Sequence, residues 1–200
     1  EVYIKDFTTS ADYRITNNGD TDGGPSLVVF NNKLYVFYNH IYLTWAKCLI
    51  CIPHQVPAGE IFYATSDDNW VQKTKVPDLP ENSIAPSTTL FNNELYLTFS
   101  GQTSSVFEIF ARKFNGFTWG DAGQVTNNGI NHGFSKTISF AGNLYVFYPQ
   151  GNGLSQTSPT NSDDKIYFSI FNGGTPRWSC PYLTLDSPVG RPTVLATPGN

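Results

Sequence analysis

Three tryptophans, Trp70, Trp119 and Trp178, each close a short turn after an aromatic segment. Tyr13 holds the matching place near the start of the chain. A ring at such a place could cover the C–H face of a sugar, while amides bond its hydroxyl rim. Asn39, His40, Gln102 and Gln150 stand in loops where they could supply those bonds. The simpler expectation for each ring is packing inside the fold. A different chemistry is suggested by Cys48-Leu-Ile-Cys51, which has zinc or redox spacing with His40 and His54 nearby. A zinc centre needs a second ligand pair. Cys180 makes the cysteine count odd, so no disulfide framework is expected. Ordinary thiols or one local disulfide are the plainer reading, and no metal or other cofactor is expected.

These residues hang on a repeated phrase. "FNNKLYVFYNH" begins at Phe30, "FNNELYLTFSG" at Phe91 and "FAGNLYVFYPQG" at Phe140. Each phrase follows a short extended segment: "GPSLVVF", "APSTTLF" or "FSKTISF". Each is followed by an aromatic strand such as "EIFYATSDDNW", "EIFARKFNGFTW" or "KIYFSIFNGGTPRW". Short runs rich in Val, Ile, Tyr, Phe and Thr, broken by Asn-Asn, Asn-Gly and Pro, predict strands and turns throughout. A unit near fifty residues with four strands is the period of a propeller blade.

The predicted fold is therefore all-β: one small β-propeller domain over 1–200, with four blades of about four antiparallel strands. Three blades span 24–84, 85–133 and 134–190. The fourth combines 191–200 with 1–23, because "RITNNG" echoes "QVTNNG" and "RPTVLATPGN" resembles a first strand. Pairing the two ends removes open sheet edges. The segment 41–57 has no counterpart in the other units. It could cap the ring or join chains into a homo-oligomer.

The unit, with its Pro-Ser, Phe-Asn, Leu-Tyr and Ile-Phe-Tyr steps and closing Trp, resembles the repeats of bacterial and fungal propeller lectins. It is similar more broadly to the sialidase-like repeat superfamily, whose Asp-box survives only as "SDDNW" and "NGFTW". The resemblance implies a carbohydrate-binding protein with repeated weak sites between blades and glycans as partners. A protein-interaction or toxin-associated module is the alternative, and a glycoside hydrolase a further one. Hydrolysis of a glycoside needs paired carboxylates. The expected inner strands "PSLVV", "PSTTL", "SKTIS" and "PTVLA" carry no Asp or Glu, so no enzyme is expected. Asp67, Asp68, Asp121, Asp163 and Asp164 fall in turns and loops. Arg14, Arg112, Arg177 and Arg191 are the only arginines, too scattered for a carboxylate-gripping cluster.

The net charge of −4 argues against a nucleic-acid partner, which favours a basic face. "IYLTWAKCLICI" is too short and interrupted to span a bilayer. With no methionine at position 1 or elsewhere, a processed or excised chain is expected, in a secreted or cytosolic setting. Ring closure has a direct test. Deleting residues 191–200 should expose a sheet edge and sharply lower the melting temperature; unchanged melting would reject the closure.

Overall fold

The computed structural model describes residues 1–45, 55–151, 165–173, 178–179 and 181–185. Among them the chain is all β apart from one short 3-10 turn, Ser66–Asp68. Three four-stranded antiparallel sheets follow in chain order. The first holds β3 (Thr21–Phe30), β4 (Lys33–Trp45), β5 (Gln55–Thr65) and β6 (Thr74–Lys75). The second holds β7 (Ile84–Phe91), β8 (Glu94–Thr103), β9 (Val106–Phe114) and β10 (Trp119–Gln124). The third holds β11 (Lys136–Phe140), β12 (Asn143–Gln150), β13 (Lys165–Phe171) and β14 (Tyr182–Leu185). Ahead of them β1 (Tyr3–Lys5) and β2 (Asp12–Arg14) form a two-stranded sheet. The arrangement is β-propeller-like, with sheets meeting face to face. The expected pairing of 191–200 with the N-terminal strands lies outside the described residues, as do Cys48, Cys51, His54 and Cys180.

The repeated phrase is a hairpin followed by a doubly buried strand. Asn31 and Asn32 have φ of 48° and 63°, and Asn92 and Asn93 have 49° and 60°. Two successive positive φ values make the tight turn that matches strand twist, and Asn tolerates them. Beyond the turn, alternate side chains enter different cores. Tyr35 and Phe37 pack with Leu95, Leu97 and Phe99 of the second sheet. Val36 and Tyr38 pack with Val2 and Ile15 of the N-terminal sheet. Tyr96 of the second sheet meets Leu144, Val146 and Tyr148 of the third. A strand sandwiched on both faces must be apolar on both, which explains "LYVFY".

Polar ties between sheets also recur. The Ser26 hydroxyl accepts the Thr88 N–H at 2.9 Å, and the Ser87 hydroxyl accepts the Thr137 N–H at 3.0 Å. This is the structural role of the serine in "PS". The Asn82 side chain accepts the Gly59 N–H at 2.8 Å; Asn131 does the same for Phe107 at 2.9 Å. The N-terminal sheet repeats the outer half of a four-stranded one. Thr16 Oγ1 accepts the Val2 N–H and donates to Glu1, as Thr126 Oγ1 accepts the Ile109 N–H and donates to Glu108.

Two features extend beyond the expected elements. The insertion lengthens the β4–β5 hairpin, in register from Ile41 opposite Gly59 to Trp45 opposite Gln55. The inner strands start earlier than expected, at Thr21 and Ile84, because register shifts at Gly23/Ser26 and Ile84/Ser87 bulge them. Gly24 and Ala85, both with φ of 58°, sit at the two bulges.

Buried Ser87 gives the measurable consequence. Ser87→Ala should leave the Thr137 N–H without its acceptor and cost about 1–3 kcal/mol in urea unfolding. An unchanged midpoint and slope would show that the tie contributes nothing.

Candidate functional site

The bulge carries Asp22 into the first inner strand. Register then places Asp22 opposite His40, and His40 opposite Glu60, in one cross-strand row. Asp22 Oδ1 lies 2.8 Å from His40 Nδ1. The Asp22 side chain is fully buried, and its Oδ2 has no hydrogen-bond partner among the described residues. The absence of acids from the inner strands, expected from sequence, is thereby corrected: Gly23-Gly24-Pro25 looks like a turn but is a bulge within β3.

The row continues outward. The His40 ring stacks on Tyr42 with centroids 5.6 Å apart and meets the Phe62 edge at 5.5 Å. The Tyr42 hydroxyl donates to Glu60 Oε1 at 3.2 Å, and Lys75 Nζ pairs with the same oxygen. Burial, followed by the Glu60 charge, raises the Tyr42 phenol above its usual range. Tyr42, Glu60 and Lys75 form one wall of a cleft of about 400 Å³. Glu81, Asn82 and Gln102 face them from the second sheet and its leading loop. Asn82 Nδ2 donates to Gln102 Oε1 at 2.9 Å, so the two amides act as a unit. Leu79 and Pro80 add apolar surface. The volume falls within the range of about 300–1,000 Å³ typical of small-molecule pockets.

A second polar cluster joins the next two sheets. Buried Glu108 accepts the Asn128 and Gly129 N–H groups at 3.0 and 2.9 Å, and Thr126 Oγ1 at 2.5 Å. His132 Nε2 lies 3.4 Å from Glu108 and 2.9 Å from Asn128 Oδ1. This cluster fixes the loop before β11. Among the described residues no group of three or more metal-ligating side chains exists, and no helix is long and apolar enough to cross a membrane.

The residues predicted from sequence divide accordingly. Trp70 is 7% exposed, in the core between the N-terminal and first sheets. Trp119 stacks on Phe114 at 4.9 Å. Trp178 packs on Phe171 and donates to the Ala122 carbonyl at 2.9 Å. These two rings serve inter-sheet packing as well. Tyr13 is exposed on β2, away from the cleft residues. Asn39 caps the Ala85 N–H at 3.4 Å, and Gln150 accepts from Asn128 at 3.2 Å. Gln102 lines the cleft, and His40 stands behind it against Tyr42. Sequence reasoning missed Asp22, Tyr42, Glu60, Glu81 and Asn82. One signal was available: Glu60 and Glu108 both open an "EIF" segment, so a carboxylate recurs at that blade position.

No protein-family model and no curated protein sequence matches the chain. In fold it is similar to the β-1,2-mannobiose phosphorylase from Listeria innocua, solved with β-1,2-mannobiose. The TM-score is 0.54 at 8% identity, over 81% of this chain and 58% of that one. It is similar also to a thermostable family-43 glycoside hydrolase, with TM-score 0.54 at 13% identity over 84% of this chain and 54% of that one. The chain thus spans a little over half the length of these structures. The likeness is one of fold. It corrects two expectations: the similar structures are not lectins, and the reading of a non-enzyme does not stand, since both are named as enzymes of glycosides.

The loop cluster predicts a pH dependence. Burial holds the His132 imidazole down at about 4, below its ordinary 6.5, with the Glu108 charge opposing. The unfolded chain therefore takes up a proton at higher pH than the fold. This contribution to stability is complete above about 6.5 and is lost as pH falls towards about 4. Urea unfolding across that window should show the decline, and His132→Gln should flatten it. An equal slope in the variant would remove His132 as the cause.

Proposed function

We propose that the chain acts on glycosidic bonds of a carbohydrate held in the cleft between the first two sheets. One observation carries the reading: two carboxylates, Glu60 and Glu81, line a single sugar-sized space with the Asn82–Gln102 amide pair and Tyr42. Two carboxylates across a scissile bond can divide the work of acid and of base or nucleophile. Glu60 is held in place, since Lys75 and Tyr42 both bind Oε1. The amides and the phenol supply donors and acceptors for sugar hydroxyls. The enzymes of similar fold support the same class of substrate, one being named a phosphorylase and the other a hydrolase. Identical repeated lectin sites are less well supported, because the place of His40 is taken by Gly101 in the second sheet and Gln150 in the third.

The test is turnover of a panel of aryl glycosides and disaccharides, with and without inorganic phosphate. Dependence on phosphate separates phosphorolysis from hydrolysis. Glu60→Gln or Glu81→Gln should lower kcat by on the order of 100-fold or more with melting unchanged. No turnover by the native chain, or full turnover in both variants, would overturn the proposal.

A further inference from the structure

The geometry points to a carboxylate–imidazole dyad: Asp22 fixes His40 as the Nδ1–H tautomer, and we infer that Nε2 is thereby left as a standing proton acceptor behind Tyr42, on the side of the ring that faces Asp20. The inference rests on the proposed function for the identity of its ligand, a hydroxyl-bearing sugar or a hydrolytic water, and on geometry alone for the dyad.

Two contacts compete for Nδ1. Asp22 Oδ1 lies at 2.8 Å and the Asn18 amide nitrogen at 3.4 Å. A carboxylate can only accept and an amide nitrogen can only donate, so they demand opposite tautomers. The shorter, charge-assisted contact decides, and the proton sits on Nδ1. The ring cannot easily turn away, since Tyr42 stacks on one face and the Phe62 edge meets it. Nε2 then carries the free lone pair, with Asp20 Oδ2 at 3.7 Å. The His40 side chain is 18% exposed, whereas that of Asp22 is sealed. The inner member orients and the outer one is reachable.

The charged groups around the ring agree with this role. Asp22 comes from β3, Asp20 from the preceding loop and Glu60 from the register partner on β5. The Glu1 ammonium donates to the Asp22 main-chain carbonyl at 3.3 Å. When Nε2 takes a proton from an O–H, the resulting imidazolium is flanked by the Asp22 and Asp20 carboxylates. The lone pair of the departing oxygen remains on the ligand. Asp22 leaves one oxygen without a partner among the described residues, a departure from full satisfaction of the kind found at functional sites. The corresponding inner-strand places in the next two sheets hold Ser83 and His132, and neither faces an imidazole.

Long-range proton–nitrogen spectra of the imidazoles test the dyad without any ligand, the His40 signals being assigned by their loss in His40→Gln. The neutral ring should show a protonated Nδ1 and a bare Nε2, and Asp22→Ala should shift it to the Nε2–H form. A native ring already in the Nε2–H form, or a tautomer unchanged by Asp22→Ala, overturns the inference. If that variant does not fold, the native spectrum decides alone. For any glycoside that the native chain turns over, His40→Gln should lower kcat/KM by on the order of 100-fold while melting holds; an unchanged kcat/KM counts against the acceptor role. A dyad present in a chain that turns over nothing would leave the tautomer standing and sink the glycoside reading instead.

Discussion

Among the described residues no backbone ladder joins one four-stranded sheet to the next. Everything else in the molecule follows from that constraint. Sheets that meet mainly through side chains must be apolar on both faces, and their inner strands must be tied by something other than strand pairing. Interleaved aromatic cores supply the first requirement and serine hydroxyls the second. Ser26 and Ser87 accept N–H groups that point out of their own sheets, so each inner strand is held in fixed register with the next. The same economy explains the turn asparagines. Gly116 approaches the Asn31 side chain and Gly173 approaches that of Asn92, so the outer turn of one sheet rests on the inner turn of its predecessor.

Face-to-face packing of twisted sheets leaves gaps at the rims, where the strands diverge. The gap between the first and second sheets is the cleft lined by Glu60 and Gln102. Its walls are set by the inter-sheet ties. Asn82 bonds the Gly59 N–H across the gap, and the Ser83 N–H bonds the Gly59 carbonyl at 2.8 Å. Gly59 allows this approach, because a Cβ there would come within 2.3 Å of Ile84 Cγ2. The tie that joins two sheets also sets Asn82 beside Gln102, so structural adhesion and the lining of the cleft share one loop.

Much of the fold is legible in the sequence because blade packing imposes a strict pattern. "LYVFY" reads as a strand buried on both faces, and Asn-Asn reads as a turn, from local chemistry alone. The site is far less legible. Gly23-Gly24-Pro25 has the composition of a turn, yet inter-sheet ties hold it as a bulge that extends β3 back to Asp22. Glu60 sits among strand residues without a local mark, and its meaning comes from Lys75 and Tyr42, which are close only in space. The tryptophans are the opposite case. Their regular spacing reflects a packing role that every blade interface needs, and regularity of that kind signals structure.

Chemistry in a repeated fold is better sought where the repeats diverge. At or just before the start of each inner strand stand Asp22, Ser83 and His132 in turn, all buried. Their partners on the second strand are His40, Gly101 and Gln150. Ser83 settles its hydroxyl on the Pro80 carbonyl, which stabilises a loop and asks for nothing more. His132 is enclosed by Glu108 and Asn128, with no exposed side-chain surface. Only in the first sheet does the buried residue hold a partner that reaches the rim, next to an aromatic ring and a carboxylate that line a cleft. Blade packing requires neither Asp22 nor His40 there, since the second sheet stands with serine and glycine in their places. That freedom from structural duty is what lets the first sheet carry a row of polar side chains from Asp22 through His40 to Glu60.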